Sequence, residues 1–109
     1  MGNTWVTDLR HFIDENGGFP PGIPGPARKL AEYLASIVQV ASAPVVPGEE
    51  RVSIQCRRRP GRRRCPGVIR CGIQADTRVT WECPTCGDNG FIAHWQGTAW
   101  DRSPYSQLH

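Results

Sequence analysis

The sequence lacks any long hydrophobic run. Its longest apolar stretch, residues 37–46, is interrupted by Gln39, Ser42 and Pro44, and it is much shorter than the roughly 20 apolar residues of a membrane span. The first residues contain neither the basic segment nor the apolar segment of a secretion signal, and Val6 stands where a myristoylation signal has Ser or Thr. We therefore expect a cytoplasmic protein that does not associate with membranes.

The common catalytic motifs are absent as well. The chain has 109 residues, which suits one domain, or one small domain with an appendage. It has no paired carboxylates, no phosphate-binding glycine loop and no Ser, His and Asp in the order of a hydrolase. Cys71 and His94 would act as nucleophile and base only if the fold brought them together, which their spacing does not require. We expect a protein that is not an enzyme.

Apolar residues are scarce for a core without metal. They make up 39% of the chain, although four Trp, three Phe and two Tyr are too many for a wholly disordered protein. Twelve Gly and ten Pro favour turns over long regular elements. This composition indicates a small folded unit that needs a further source of stability.

Charge is distributed unevenly along the chain. The formal net charge of +3 combines −3 over residues 1–50 with +6 over residues 51–109. Six arginines lie between Cys56 and Cys65: Arg57, Arg58, Arg59, Arg62, Arg63 and Arg64. We call residues 57–64 the arginine loop, and it is the strongest charge feature of the sequence.

The first 48 residues are predicted to be mainly helical. Apolar residues recur at helical spacing from Ala27 to Ala41, Pro26 suits a first helical position, and Pro44 ends the pattern, so a helix is predicted over 26–42. A shorter apolar face from Trp5 to Ile13 also fits a helix, although its first residues would suit a strand. Glycine and proline in residues 15–25 predict a connecting loop, and residues 47–48 predict a linker.

Residues 51–101 have the pattern of short strands between turns. Strands are predicted over 51–55, 68–73, 78–82 and 91–95, with a hairpin turn at 74–77 that would place Ile73 opposite Arg78 and Cys71 opposite Thr80. The polar residues 102–109 predict a flexible tail. Trp81 and Trp95 lie in strands, where large aromatic residues commonly fill a thin core, whereas the role of Trp100 is open.

The cysteines point to a metal site. Cys83 and Cys86 are separated by two residues and followed by a glycine, which is the spacing of a tight metal-binding turn. The predicted hairpin leaves Cys71 about three strand residues, roughly 10 Å, from that turn, which is too far for a metal–sulfur bond. The predicted ligands are Cys56, Cys65, Cys83 and Cys86, and Cys71 is predicted to be a buried thiol.

Four thiolates around one tetrahedral Zn²⁺ form a closed, structural site. An iron centre of the rubredoxin kind is an alternative, although this sequence has only one tight pair of cysteines where rubredoxins have two. His94 could replace Cys56 as the fourth ligand, and disulfides would replace the metal in an oxidising compartment. We expect zinc.

Several motifs resemble those of zinc-ribbon proteins. Residues 56–101, with the arginine loop, Trp81–Gly90 and Trp95–Asp101, carry this resemblance, and the whole chain, including Thr4–Asp8 and Pro24–Ala27, resembles a group of small uncharacterised bacterial proteins. The resemblance implies a three-stranded antiparallel sheet with two metal-binding turns. Zinc ribbons occur in nucleic-acid-binding proteins, polymerase subunits and protein-interaction modules. The eight residues between Cys56 and Cys65 depart from the usual two to four.

The predicted fold is α+β, with the helical segment 1–48 packed on a C-terminal antiparallel zinc ribbon, 51–101. The predicted function is that of a non-enzymatic zinc-binding module whose arginine loop contacts nucleic acid. Two other interpretations of the loop remain open: compensation of the charge of the metal site, and contact with an acidic protein. The alternative function is a protein-interaction adaptor that uses the helix and the Trp-rich surface.

Overall fold

The computed structural model describes residues 4–14, 18–44 and 53–103. Strand β1 (Thr4–Asp8) leads into a 3₁₀ helix (Leu9–Phe12) and then helix α1 (Gly25–Ser42). Strands β2 (Arg70–Ile73), β3 (Val79–Glu82) and β4 (Asn89–Ala93) follow. The predicted linker at 47–48, the first residues of the strand predicted over 51–55, and most of the predicted tail lie outside the described residues.

The predicted fold class is wrong in two respects. The first element is strand β1 and not α1. The helix predicted from Trp5 to Ile13 is absent, because β1 and the 3₁₀ helix occupy these residues. The sheet has the order β1-β4-β3-β2, and β1 runs parallel to β4, so the sheet is mixed and not purely antiparallel.

The pairing of β1 with β4 explains why this segment is not helical. A short amphipathic helix has little stability of its own, whereas the β-branched residues of β1 suit a strand. Trp5 lies opposite Gly90, and a Cβ added to Gly90 would lie 2.7 Å from the carbonyl oxygen of Trp5. Gly90 therefore permits the two strands to lie close together. The apolar spacing of residues 5–13 contains no information on this contact.

Helix α1 matches the helix predicted over 26–42 to within one residue. Pro26 lies in its first turn. The helix ends at Ser42, because Ala43, the residue before Pro44, is extended. One face is buried: Ala31, Leu34, Ala35, Ile37, Val38, Ala41 and Ser42. This face packs on β2 and β3, and each fully buried aliphatic side chain contributes about 1.5 to 3 kcal/mol to stability.

The β2–β3 hairpin forms as predicted, but its register differs by one residue. Cys71 lies opposite Trp81, and Ile73 lies opposite Val79. The reason is the turn, in which Thr77 adopts a left-handed conformation (φ 74°) while its N–H donates to the Gln74 carbonyl at 2.9 Å. Thr77 is the extra residue of a β-bulge. The turn predicted over 74–77 contains no bulge, so its register is displaced by one residue.

The other two strand predictions need adjustment. Within the described part of 51–55, only Gln55 pairs, in an isolated antiparallel bridge with Val68. Strand β4 begins at Asn89, two residues before the predicted start, and ends at Ala93, since His94 adopts a left-handed conformation (φ 57°).

One core joins the helix, the sheet and the cysteines. Its fully buried side chains include Leu9, Ile37, Val79, Ile92 and Cys56. Trp81 and Trp95 are buried, as predicted, and the partly buried Trp100 stacks on Phe19 with ring centroids 4.5 Å apart. Among the described residues, no helix has the length and apolar character needed to cross a membrane.

Candidate metal centre

The four cysteines predicted as ligands lie together. Their sulfur atoms are all within 4.8 Å of one another, with Cys56 Sγ 3.6 Å from Cys86 Sγ and Cys65 Sγ 3.7 Å from Cys83 Sγ. A tetrahedral ion with metal–sulfur bonds of about 2.3 Å requires sulfur–sulfur edges of about 3.8 Å. The cluster is therefore compatible with one metal ion bound by four sulfurs, and these distances exclude disulfide bonds in this structure.

The two cysteines that flank the arginine loop, Cys56 and Cys65, form one half of the cluster. The Cys56 N–H donates to the Gly67 carbonyl at 3.0 Å, and the Cys65 N–H donates to the Arg58 carbonyl at 2.8 Å. The Cys56 sulfur accepts a hydrogen bond from the Arg58 N–H at 3.4 Å, and the Cys65 sulfur accepts one from the Gly67 N–H at 3.3 Å. The long loop is thus closed at its base, and both sulfurs face the cluster.

The tight turn between β3 and β4 forms the other half. The Gly87 N–H donates to the Cys83 carbonyl at 2.8 Å, and the Cys83 N–H donates to the Asp88 carbonyl at 2.7 Å. Gly87 has φ of 83°, which glycine adopts without strain. This turn places Cys83 and Cys86 on the same side, facing Cys65 and Cys56.

Gly67 packs against the cluster and was not predicted as a site residue. A Cβ at this position would lie 2.4 Å from Cys83 Sγ and 2.9 Å from the Thr85 Cβ. Only a residue without a side chain permits the two halves of the cluster to meet at this distance. The sequence signal was present, since Gly67 follows Cys65 and Pro66 much as Gly87 follows Cys86.

The thiols differ in how readily they ionise without a cation. Burial raises the pKa of Cys56 to about 12. Burial also raises the pKa of Cys83, but the N–H groups of Cys86 and Thr85 together with the Cys65 and Cys86 thiols outweigh it and lower this pKa to about 7. The Gly67 N–H lowers the pKa of Cys65, yet burial and the neighbouring thiols raise it overall. A bound divalent cation would favour the ionised form of these cysteines, because it stabilises every thiolate that contacts it.

Two residues weighed in the sequence lie elsewhere. Cys71 is outside the cluster on β2 and is half-buried, not buried. His94, the alternative fourth ligand, is exposed, and its Nδ1 lies 3.1 Å from Asp8 Oδ2. The structure therefore favours Cys56 over His94 as the fourth ligand.

The arginine loop is exposed around a turn at Pro60–Arg62, in which Gly61 and Arg62 both have positive φ. Arg57 and Arg58 turn towards the body of the protein: the Arg57 guanidinium lies 5.6 Å from the Tyr33 ring centroid, and Arg58 Nη1 lies 3.8 Å from Asp88 Oδ1. Arg59 and Arg62–Arg64 form no ion pair within the described ranges.

Asp88 is a second residue that sequence reasoning missed. Its side chain is buried and accepts a hydrogen bond from Trp5 Nε1 at 3.1 Å, in addition to its ion pair with Arg58. Asp88 therefore connects β1, the arginine loop and the turn that carries Cys83. No signal in the sequence distinguishes it from an ordinary turn aspartate.

Four buried or half-buried sulfurs, with no other donor in the cluster, constitute a site that can hold a metal ion in a closed sulfur shell. No protein-family model matches the chain, and no curated protein or solved structure is significantly similar to it.

Proposed function

We propose that this protein is a non-enzymatic zinc-binding module whose metal centre fixes the arginine loop for contact with nucleic-acid phosphates. One observation carries the proposal: Cys56 and Cys65, which flank that loop on either side, both contribute sulfur to the four-cysteine cluster. A metal ion bound there closes the loop at its base, and it ties the loop to the β3–β4 turn.

Zinc fits the cluster better than iron does. Both ions accept four thiolates in a tetrahedral arrangement, but only the Cys83–Cys86 half has the tight spacing of the turns that hold iron in rubredoxin-like sites. Four protein sulfurs leave no position on the metal for water or substrate. This closed shell supports a structural role over a catalytic one.

The charge of the loop supports a phosphate ligand. Zn²⁺ with four thiolates carries a net charge of about −2, and Arg57 and Arg58 are close enough to the protein body to compensate part of it. Arg62, Arg63 and Arg64 are exposed and have no ion pair in the described part of the chain. Guanidinium groups on a projecting turn can make bidentate contacts with successive phosphates.

Metal content tests the first half of the proposal. Untagged protein should contain one zinc per chain by mass spectrometry, and Cys83→Ser should weaken metal binding by more than about 100-fold, beyond the loss expected for an outer-shell residue. Cys71→Ser is the matched control, because Cys71 lies outside the cluster, and it should bind one zinc like the wild type. Iron in place of zinc, or equal loss in both variants, would overturn this assignment.

Salt-dependent binding tests the second half. Affinity for single-stranded or duplex oligonucleotides should fall by roughly 0.7 to 0.9 log units per log unit of salt for each phosphate contacted. The double variant Arg62→Glu/Arg63→Glu should lose this binding. Arg28→Glu/Lys29→Glu, which changes the net charge equally on the exposed side of α1, should keep most of it.

An acidic protein partner predicts a different result. In that case polyglutamate would bind more tightly than an oligonucleotide of equal charge, and the proposal would fail. The adaptor function that uses the helix has less support, because the apolar face of α1 packs on the sheet and Trp81 and Trp95 are buried.

A further inference from the structure

A groove lies beside the first residues of the arginine loop. It encloses about 290 Å³ between α1, β1, β3 and the loop. Aromatic side chains from the three elements line it, namely Tyr33, Trp5 and Trp81. Arg57–Arg59 also line it, and Asp88 lies beside Trp5. The groove therefore combines aromatic side chains with three arginines, one of which is paired with Asp88 at 3.8 Å.

Two polar atoms of the groove residues have no partner. Tyr33 Oη and Trp81 Nε1 are buried and make no hydrogen bond among the described residues, and Trp81 is only 3% exposed. A buried donor without a partner costs about 1 to 3 kcal/mol, and native proteins contain few of them. An acceptor that reached either atom would recover this free energy. The Tyr33 and Trp81 rings are in edge-to-face contact, with centroids 6.1 Å apart, so they must separate to admit it.

We propose that this groove binds one unstacked base of a single-stranded nucleic acid, while the flanking phosphates contact the arginine loop. This inference rests on the proposed function, and it adds to it the strand state of the ligand. A base offers a planar face for stacking on an aromatic ring and ring or carbonyl acceptors for the Trp81 and Tyr33 donors. The stacking surface in the groove is the Trp5 ring, since Trp5 is 49% exposed.

The distribution of charge sets the orientation of the ligand. Asp88 disfavours an anion near Trp5, so the uncharged base belongs there. The phosphates belong on the side of Arg59, the lining arginine that forms neither an ion pair nor a ring contact in the described ranges. The size of the groove argues in the same direction, since 290 Å³ lies at the small end of ligand pockets. It suits one heterocycle and cannot admit a base pair within a stacked duplex.

Oligonucleotides with and without bases provide the test. We would measure binding of a ten-residue oligothymidylate, of the same backbone carrying abasic sites, and of a duplex of the same length. The expected result is that oligothymidylate binds about five- to a hundredfold more tightly than the abasic strand, which is the range for one stacked base, and more tightly than the duplex. Both single strands should have the same salt slope, because they carry the same phosphates.

The outcomes separate the two proposals. If the abasic strand or the duplex binds as tightly as oligothymidylate, the base-binding groove is overturned while the phosphate-binding loop stands. If none of the three binds, the proposed function fails, and this inference fails with it.

A pair of variants on β1 locates the effect. Trp5→Ala should lower affinity for oligothymidylate about five- to a hundredfold and leave affinity for the abasic strand unchanged. That second measurement guards against misfolding, because a misplaced arginine loop would weaken both strands equally. Val6→Ala is the matched control, since Val6 is the adjacent residue on β1, is 74% exposed and does not line the groove. Equal effects of the two variants would overturn the assignment.

Discussion

At the scale of single residues, Gly67 has the tightest surroundings of the described glycines near the cysteine cluster. Its missing side chain leaves room for Cys83 Sγ, which would lie 2.4 Å from an added Cβ. We expect Gly67→Ala to destabilise the folded protein by about 1 to 3 kcal/mol, the usual cost of overpacking. We also expect it to distort the cobalt-substituted centre, whose visible spectrum reports the sulfur geometry.

The matched control for this change is Gly72→Ala. Gly72 lies on β2, and nothing is within 4 Å of a Cβ built there. This variant should keep the cobalt spectrum of the wild type and nearly its stability. If the two alanine variants behaved alike, the close approach at Gly67 would not matter for the centre.

The ionisation of Cys83 predicts how metal binding responds to pH. Its pKa of about 7 means that this group is mostly a thiol at pH 6 and mostly a thiolate at pH 8. Zinc binding displaces the remaining protons, so about one proton fewer should be released per zinc at pH 8 than at pH 6. Calorimetry in buffers of different ionisation enthalpy measures this number. Equal release at both pH values would show that the turn does not stabilise the Cys83 thiolate.

The four clustered cysteines could be selected from the sequence, whereas their surroundings could not. The exclusion of Cys71 holds although the predicted register differs by one residue. Cys71 lies opposite Trp81, and Trp81 precedes Cys83 by two residues. Gly67 and Asp88 matter through contacts with residues far away in the sequence. Local spacing carries no information on such contacts, so neither was predicted.

At the scale of elements, strand β1 depends on Gly90. A Cβ there would meet the Trp5 carbonyl oxygen at 2.7 Å and Trp81 Nε1 at 2.8 Å. We expect Gly90→Ala to force β1 away from β4, to lower stability by about 1 to 3 kcal/mol, and to remove the hydrogen-exchange protection of the β1 amides. The cobalt spectrum should change little, because β1 supplies none of the clustered sulfurs. Retained protection of β1 would contradict this account.

The elements differ in how far local sequence determines them. Helix α1 has eighteen residues, and its repeated apolar spacing and flanking prolines predict it almost to the residue. Strand β1 has five residues, and its identity is decided by a parallel partner more than eighty positions away. The hairpin lies between these cases, since its strands are local but the left-handed Thr77 shifts their register.

At the scale of the whole molecule, the two halves of the chain share one core. The buried face of α1 packs on β2 and β3, β1 completes the sheet beside β4, and the Arg102 N–H donates to Ser42 Oγ at 2.9 Å. The change in charge and composition near residue 50 suggested a helical segment resting on a separate antiparallel unit. Composition does not reveal that strands from both sides of this change belong to one sheet.

This shared core predicts the response to metal removal. Cys56, Cys65 and Cys83 belong to the same buried cluster as Ile37 and Val79, so loss of the metal should weaken the helix and the sheet together. A tightly binding chelator should lower the free energy of unfolding by more than about 4 kcal/mol, the contribution of a ligand present at about a thousand times its dissociation constant. Helical circular dichroism and tryptophan fluorescence should then follow one transition, which zinc restores. If α1 instead kept its helical signal after chelation while the tryptophan signal was lost, the helix would be stable without the cysteine cluster, and the metal would hold only the arginine loop and the β3–β4 turn.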